Sequence, residues 1–391
     1  MANDNLKQAK KAKNDEFYTQ WADIEKEIMA YIDYNPNVFR DKTILLPCDD
    51  PEWSNFTKFF AQNFEAFGLK KLISTSYAFE SKKVNMPYQI TLFEKQAPHF
   101  DPDINKIRGK IFTIERDTNK NGVIDIDDLE WQYLEGDGDF RSDEVRKLRD
   151  EADIIITNPP FSLFREFLVW LIESKKKFTV ICNKNALGNK KMFPLFQGNK
   201  IWSGKTEWSG GMWFKTVDVN DVDKVIDGIN MKNTPSIWLT NIEHGRRHQP
   251  LKLMTMADNI KHSNHSDIKG HNYKKYDNYD AIEVPYTDAI PSDYEGVMGV
   301  PITFLEKYCP EQFEIVGSTQ RGCHDAFPDI KKYDTYWEVR QDGTKTGSSG
   351  SKTNENANLE GIFDTKNNYF INKEGHIIQS KYTRVFIRKR K

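Results

Sequence analysis

Two adjacent prolines cut short a run of three isoleucines, and that break constrains the fold more than any other feature of the chain. Ile154-Ile155-Ile156 has the character of a buried strand, and Pro159 and Pro160 cannot continue a hydrogen-bonded ladder. The residues from Leu163 to Lys177 then read as an amphipathic helix with lysines at its C-terminal end, and Lys177–Asn183 reads as strand again. The same alternation occurs earlier. Lys42–Cys48 is a short apolar run; Phe56, Phe59, Phe60, Phe64 and Phe67 recur at helical spacing up to a capping Gly68; Lys70–Tyr77 is a second strand. Strand, helix and strand repeated in this way build a mainly parallel sheet, so the expected class is α/β. Ligands of such sheets bind at the carboxyl ends of the strands, where Cys48-Asp49-Asp50-Pro51 and Asn158-Pro159-Pro160-Phe161 both fall.

At 391 residues the chain is too long for one ordinary domain and implies two, or one enlarged catalytic domain with insertions. Acidic and basic residues nearly balance, 58 against 56, which excludes a globally basic nucleic-acid binder but leaves room for a local basic face. Their distribution is uneven. Residues 101–153 hold 16 acids and 9 bases, whereas His244–Lys275 holds 7 bases, 2 acids and five of the eight histidines. After residue 200 periodicity weakens into short strands and long loops. Residues 341–358, polar and rich in Gly and Ser, read as a mobile loop, and the basic tail from Lys381 as a closing strand. No apolar run approaches the roughly 18–20 residues of a membrane span, and the N-terminus lacks the apolar core of a secretory signal. Cys48, Cys182, Cys309 and Cys323 are far apart without a Cys-x-x-Cys pair, which argues against disulfides or zinc and for a cytoplasmic protein.

Asn158-Pro159-Pro160-Phe161 carries the most chemistry. The Asn158 side-chain oxygen and the Pro159 carbonyl can both accept from one exocyclic amino group, proline holds the loop in place beforehand, and Phe161 offers a ring on which a planar base can stack. An ordinary strand-ending turn is the plainer reading. Asp49 or Asp50 can pair with an ammonium or a ribose hydroxyl, or simply cap the following helix. Gly136-Asp137-Gly138-Asp139-Phe140 permits a tight turn in which Asp139 accepts from an adenine amino group and Phe140 covers its face; a plain Gly-Asp turn fits equally. Asp15-Glu16-Phe17-Tyr18-Thr19 precedes the first helix, where Thr19 either donates at a site mouth or belongs to a capping segment.

Taken in order, Asp15–Thr19, Cys48–Pro51 with Ser54-Asn55-Phe56, Gly136–Ser142 and Thr157–Phe164 resemble the DNA adenine-N6 methyltransferases of the EcoRI modification methylase family. Further matches are Ile201-Trp202, Ile237–Asn241, Lys275–Ile282 and Gly296–Leu305. The resemblance implies a Rossmann-like, S-adenosylmethionine-dependent methyltransferase fold over residues 1–200, with an acidic insertion near 101–135. A C-terminal target-recognition region of mixed short strands and loops, with the closing strand, would occupy 201–391. It implies a cofactor pocket lined by Tyr18, Thr19, Cys48, Asp49, Asp50, Asp139 and Phe140. Thr19 and the Asp49–Asp50 turn would take the methionine end, and Asp139 and Phe140 the adenine. Asn158, Pro159, Pro160 and Phe161 would grip an adenine flipped out of double-stranded DNA, and the enzyme would act as a monomer, as the partner of a restriction-modification system or as an orphan methylase. Arg246 and Arg247, in the basic stretch, are expected at the DNA. Two departures stand out: the turn after the first strand has no glycine, and the second strand ends in Ser74-Thr75-Ser76-Tyr77, without a carboxylate for the ribose.

A second motif points elsewhere. Asp117, Asn119, Asn121, Gly122, Ile124, Asp125 and Asp128 match positions 1, 3, 5, 6, 8, 9 and 12 of a calcium loop. Its flanks look like strands, so a polar hairpin with an Asn-Gly turn explains the same residues. The rival readings of the whole chain are an RNA base methyltransferase with the same catalytic turn and a non-catalytic calcium- or DNA-binding module.

Overall fold

In a computed structural model, the alternation read from the sequence becomes an eight-stranded sheet. The model describes residues 18–50, 54–78, 100–188, 190–216, 221–320, 323, 327, 329–333, 335–349, 356–364 and 366–390. The chain divides into two compact units, Met1–Lys184 with Ser203–Gly245, and Asn185–Trp202 with Arg246–Lys391.

The strands up to residue 240 are β1 (Tyr18–Thr19), β2 (Thr43–Leu46), β3 (Lys71–Ser76), β4 (Lys110–Ile114), β5 (Glu130–Tyr133), β6 (Ile154–Thr157), β7 (Lys177–Asn183), β8 (Trp202–Ser203), β9 (Met212–Lys215), β10 (Lys224–Ile226), β11 (Ile229–Thr234) and β12 (Ser236–Thr240). The helices of the first unit are α1 (Trp21–Tyr34), α2 (Asn55–Gln62), α3 (Phe64–Phe67), α4 (Pro102–Ile107), α5 (Asp143–Glu151) and α6 (Phe164–Ser174). The large sheet runs β5-β4-β3-β2-β6-β7-β12-β8. Its centre is parallel, with β2 on β3, β2 on β6 and β6 on β7. Antiparallel strands flank it: β4 on β3, β5 on β4 and β12 on β7. The chain leaves β2 toward β3 on one side and β6 toward β7 on the other. The crevice between the ends of β2 and β6 is therefore the point where the winding reverses.

The phenylalanine stripe does what its spacing predicts. Phe56, Phe59, Phe60, Phe64 and Phe67 pack on Ile44, Leu46, Leu72, Ile154 and Ile156. Ser54 caps α2 by accepting from the Phe56 N–H, and Gly68 ends α3 with φ +64°. A buried carboxylate ties α1 to the returning segment after β8. Glu27 accepts from the Lys205 N–H (2.7 Å), the Thr206 N–H (2.9 Å) and the Thr206 and Tyr31 hydroxyls (2.8 and 2.7 Å). A Cβ at Gly204 would stand 2.1 Å from Glu27 Oε1, so only glycine lets the backbone come this close. A small antiparallel sheet, β1-β9-β11-β10, completes the first unit.

The second unit contains α7 (Phe193–Gln197) and α8 (Met256–His262), followed by β13 (Ile282–Glu283), β14 (Met298–Pro301), β15 (Phe313–Ser318), β16 (Trp337–Val339), β17 (Lys345–Ser349), β18 (Asn358–Glu360), β19 (Tyr369–Ile371), β20 (Ile377–Ser380) and β21 (Arg384–Lys389). They form two sheets, β13-β14-β21-β15 and β17-β16-β19-β20-β18. The closing strand β21 sits between β14 and β15, antiparallel to both. At its start Arg384 is buried and forks onto Glu283 at 2.7 and 3.0 Å. The mobile loop expected over 341–358 is corrected in part: Lys345–Ser349 is a strand on β16, because ladder pairing overrides a Gly/Ser composition that reads as linker. None of the four cysteines is in a disulfide, and among the described residues no helix is long and apolar enough to cross a membrane.

Replacing Glu27 by Ala strands buried donors on Lys205 and Thr206. The expected cost is about 2–3 kcal/mol of stability, read as a lower urea midpoint with an unchanged m-value, and Glu27→Gln should recover part of it.

Candidate functional site

The winding reversal is built by two strand ends tied together. The Thr157 hydroxyl, at the end of β6, donates to the Pro47 carbonyl beyond β2 at 2.5 Å. After Thr157 the chain turns through half-buried Asn158, buried Pro159 and half-buried Pro160 into a single helical turn, Phe161–Leu163, that leads into α6. The Leu163 N–H closes on the Pro160 carbonyl at 3.0 Å. Phe161 packs on the phenylalanine core and meets Phe214 of β9 edge to face, centroids 6.2 Å apart.

Beyond β2, Cys48 has φ +70°, the left-handed conformation that glycine adopts without strain. The turn without glycine thus has a glycine-like backbone carried by cysteine. Asp49 is 4% exposed. Its main-chain carbonyl accepts from the hydroxyls of Thr57 (3.2 Å) and Ser74, and its Oδ1 accepts from Ser54 Oγ at 2.7 Å. Its Oδ2 is buried and has no protein partner. Burial pushes the Asp49 carboxyl up to about 7; the Thr157 and Ser54 hydroxyls oppose this, and the charge of Asp50 adds to it.

Thr19 arrives from the small sheet. In register it faces Phe214, the residue that also meets Phe161, so β9 brings Thr19 and the Asn158–Phe161 turn to one strand. Asn55 Nδ2 holds the Thr19 carbonyl at 2.8 Å, and the buried Thr19 Oγ1 has no protein partner. The Tyr18 side chain, Asp15, Glu16, Phe17 and Pro51 lie outside the described residues.

The third wall is the Gly136–Phe140 turn. Gly138 has φ +83°, and a Cβ there would lie 2.3 Å from the Ser76 carbonyl, so the turn is pressed onto the end of β3. The Ala78 N–H donates to the Asp137 carbonyl at 2.8 Å. Asp139 is chelated by Arg141 at 2.9 and 2.6 Å, and Arg141 also reaches Glu166 at 2.7 Å. Phe140 is fully enclosed, edge to face with Phe167 and Trp170 at 5.0 and 5.8 Å, so both rings of the α6 wall take up the surface expected to face a base. Tyr77, which the sequence reading passed over as merely lacking a carboxylate, stands here with its hydroxyl buried. Burial and the nearby Cys48 and Asp139 keep that phenol well above its usual pKa. Ser54 and Arg141 were also missed, although a helix-capping serine and the arginine beside Gly-Asp-Phe were visible signals. Phe214 had none, because its role depends on a pairing between distant segments.

Two other expectations come out differently. Arg246 and Arg247, expected at the DNA, are held inside the second unit. Arg246 is paired with Glu306 at 2.7 Å, and Arg247, 7% exposed, lies over the Trp202 ring at 3.7 Å and donates to Asn199 at 3.0 Å. The calcium-like loop connects antiparallel β4 and β5, the hairpin alternative. Its carboxylates are already in use. Asp117 accepts from the N–H groups of Lys120, Asn121 and Gly122, Asp128 from those of Thr118, Asn119 and Asp125, and Asn119 Oδ1 from the Asn121 N–H. Among the described residues, the three-ligand cluster with metal-like spacing is elsewhere, at Asp277, Glu360 and His376. There Asp277 is occupied by Lys331 at 2.7 Å and Tyr333 at 2.6 Å.

Buried oxygens left without protein partners at a winding reversal fit a polar ligand. The Asp49 Oδ2 suits a cation such as an amino acid ammonium, and the Thr19 hydroxyl suits its carboxylate, which is the donor and acceptor pattern of a methionine moiety. A family model described as Adenine-specific methyltransferase EcoRI matches residues 5–390. The chain is 41% identical over 317 residues to the Type II methyltransferase M.EcoRI of Escherichia coli, covering 80% of this chain and 88% of that protein. It is 36% identical over 317 residues to M.MpnI of Mycoplasma pneumoniae, covering 79% and 83%, and 35% identical over 315 residues to M.MgeORF184P of Mycoplasma genitalium, covering 79% and 84%. No solved structure matches.

Asp49 gives a pH prediction. Its folded-state pKa lies above the unfolded value, so the fold gains from its protonation in acid, and that gain is lost as pH rises from 3.8 to about 7. Asp49→Asn should therefore raise the melting temperature of the ligand-free protein at pH 8, by about 2–4 °C per kcal/mol relieved, and raise it distinctly less at pH 5. For the 117–128 loop, millimolar calcium should leave the melting temperature within error; a saturable rise that disappears in Asp117→Ala would assign it a cation after all.

Proposed function

The chain belongs to the EcoRI family of adenine-specific DNA methyltransferases, and we propose that Asn158, Pro159 and Phe161 hold its target adenine while Thr19, Asp49 and the Asp139–Arg141 pair hold S-adenosylmethionine. The first unit would then be a Rossmann-like catalytic domain and the second the target-recognition domain. The observation that carries the site is the Thr157–Pro47 tie, which sets an amide and carbonyl turn beside a buried, half-satisfied carboxylate.

When bound, S-adenosylmethionine supplies an electrophilic methyl group. The protein's part is positioning. An adenine amino group is a poor nucleophile because its lone pair is delocalised into the ring. The Asn158 Oδ1 and the Pro159 carbonyl accept its two hydrogens, which favours a pyramidal nitrogen and aims its lone pair. Phe161, fixed by Phe214, supports the base from below. The base must leave the duplex, at a cost of a few kcal/mol that stacking and edge contacts offset. Asp49, ionised, pairs with the ammonium of the methionine end. Arg141 orients the Asp139 carboxylate, which retains acceptor capacity for the cofactor's adenine. No observation favours the RNA or non-catalytic alternatives. We read the enzyme as the modification half of a type II system, acting as a monomer on double-stranded DNA.

Asn158→Ala should leave S-adenosylhomocysteine binding intact by calorimetry and slow methyl transfer to duplex DNA at least ~100-fold. Retention of half the wild-type turnover would move the adenine site elsewhere.

A further inference from the structure

With Arg246 and Arg247 spent internally, the DNA-facing cations of the second unit have to be sought elsewhere. Several of its other bases are also engaged. Arg384 is buried on Glu283, Lys275 is paired with Asp280, Lys331 with Asp277, and Lys389 donates to the Ser292 carbonyl. Lys274 differs. It is exposed, its ammonium lies 3.3 Å from the centre of the Phe363 ring, and the neighbouring charge it feels is that of Lys381. Burial and then that like charge hold its pKa below the usual lysine value.

Around these two lysines the surface is aromatic and open. Phe363 is 39% exposed and Tyr382, next to Lys381, is 82% exposed. The display is rigid. The Phe363 and Asp364 N–H groups both donate to buried Gln379 on β20, at 3.0 and 2.9 Å. The Lys381 N–H donates to the Ala357 carbonyl at 2.8 Å, and the Lys274 carbonyl accepts from the Glu283 N–H at 2.8 Å. The nearby acid, half-buried Asp364, accepts from the Lys366 N–H at 2.8 Å and from Asn367, and its charge also meets that of Lys381. Lys274 and Lys381, whose like charges oppose each other beside solvent-facing rings, favour an arriving anion. A chain of net charge −2 that acts on a polyanion needs such a local patch.

We propose that Lys274, Lys381 and Tyr382 form the surface on which the second unit receives the DNA backbone, the lysines on phosphates and the tyrosine ring against sugar or base. The proposal rests on the DNA methyltransferase reading above. Phosphate contacts carry no sequence information, so a labelled duplex of mixed sequence is a sufficient probe.

Fluorescence anisotropy of that duplex over a sodium chloride series tests it, comparing wild type with Lys274→Ala/Lys381→Ala and with Tyr382→Ala. The lysine pair should lower the slope of log Kd against log salt by roughly 2, at about 0.9 per phosphate contact. Tyr382→Ala should weaken binding roughly tenfold with the slope unchanged, as expected for a lost stacking contact. Melting temperature and S-adenosylhomocysteine affinity should match wild type in all variants, which excludes a folding defect. A double variant with the wild-type slope and affinity overturns the proposal. Wild-type protein that binds S-adenosylhomocysteine but no duplex would overturn the DNA methyltransferase reading itself, and the proposal with it.

Discussion

The parallel pairing of β2 with β6 is the constraint on which the site depends. The two strands are more than a hundred residues apart in the chain, and both ends of the pair are fastened. At the start, Asp153 and Thr43 exchange hydrogen bonds, the Thr43 N–H to the Asp153 carboxylate and the Asp153 N–H to the Thr43 carbonyl, both at 2.9 Å. At the finish, the Thr157 hydroxyl holds the Pro47 carbonyl. A slip of one residue would turn every buried side chain of these strands to the opposite face. It would also separate Asn158 from Asp49. The register that satisfies the isoleucine run therefore also brings together the two halves of the proposed site.

Around that pair, burial is used in two opposite ways. Glu27 is completely enclosed and receives four donors, so it acts as a structural anchor. Asp49 is almost as enclosed but receives one donor on its carboxylate, and its second oxygen is left for something else. What separates the two carboxylates is the count of satisfied lone pairs, since the residue types and burial are alike.

Much of the first unit was legible from periodicity. The Ile154–Ile156 strand, the phenylalanine stripe, Gly68 and the strand flanks of the 117–128 loop each combine a local pattern with local turn chemistry, and each came out as read. What could not be read depends on distant partners. Phe214 matters because β9 pairs with β1. Lys345–Ser349 is a strand because β16 lies beside it, despite a composition that suggests a linker. Arg246 and Arg247 show the same limit for charge: a run of cations in sequence does not say which way the side chains point, and Trp202 and Glu306 turned these inward. At the site, the identity of Asp49 was visible but its unsatisfied oxygen was not, because that is a property of the enclosure.

Cys48 has one more consequence. Its left-handed backbone costs a non-glycine residue about 1–2 kcal/mol. Glycine would remove that strain, but it would also let the turn roam over many more backbone shapes before anything is bound. A side chain at this corner keeps the empty turn in a narrow ensemble. Part of the ordering of this turn is thus done during folding, so the chain gives up a little static stability for a corner whose shape is set in advance of any binding.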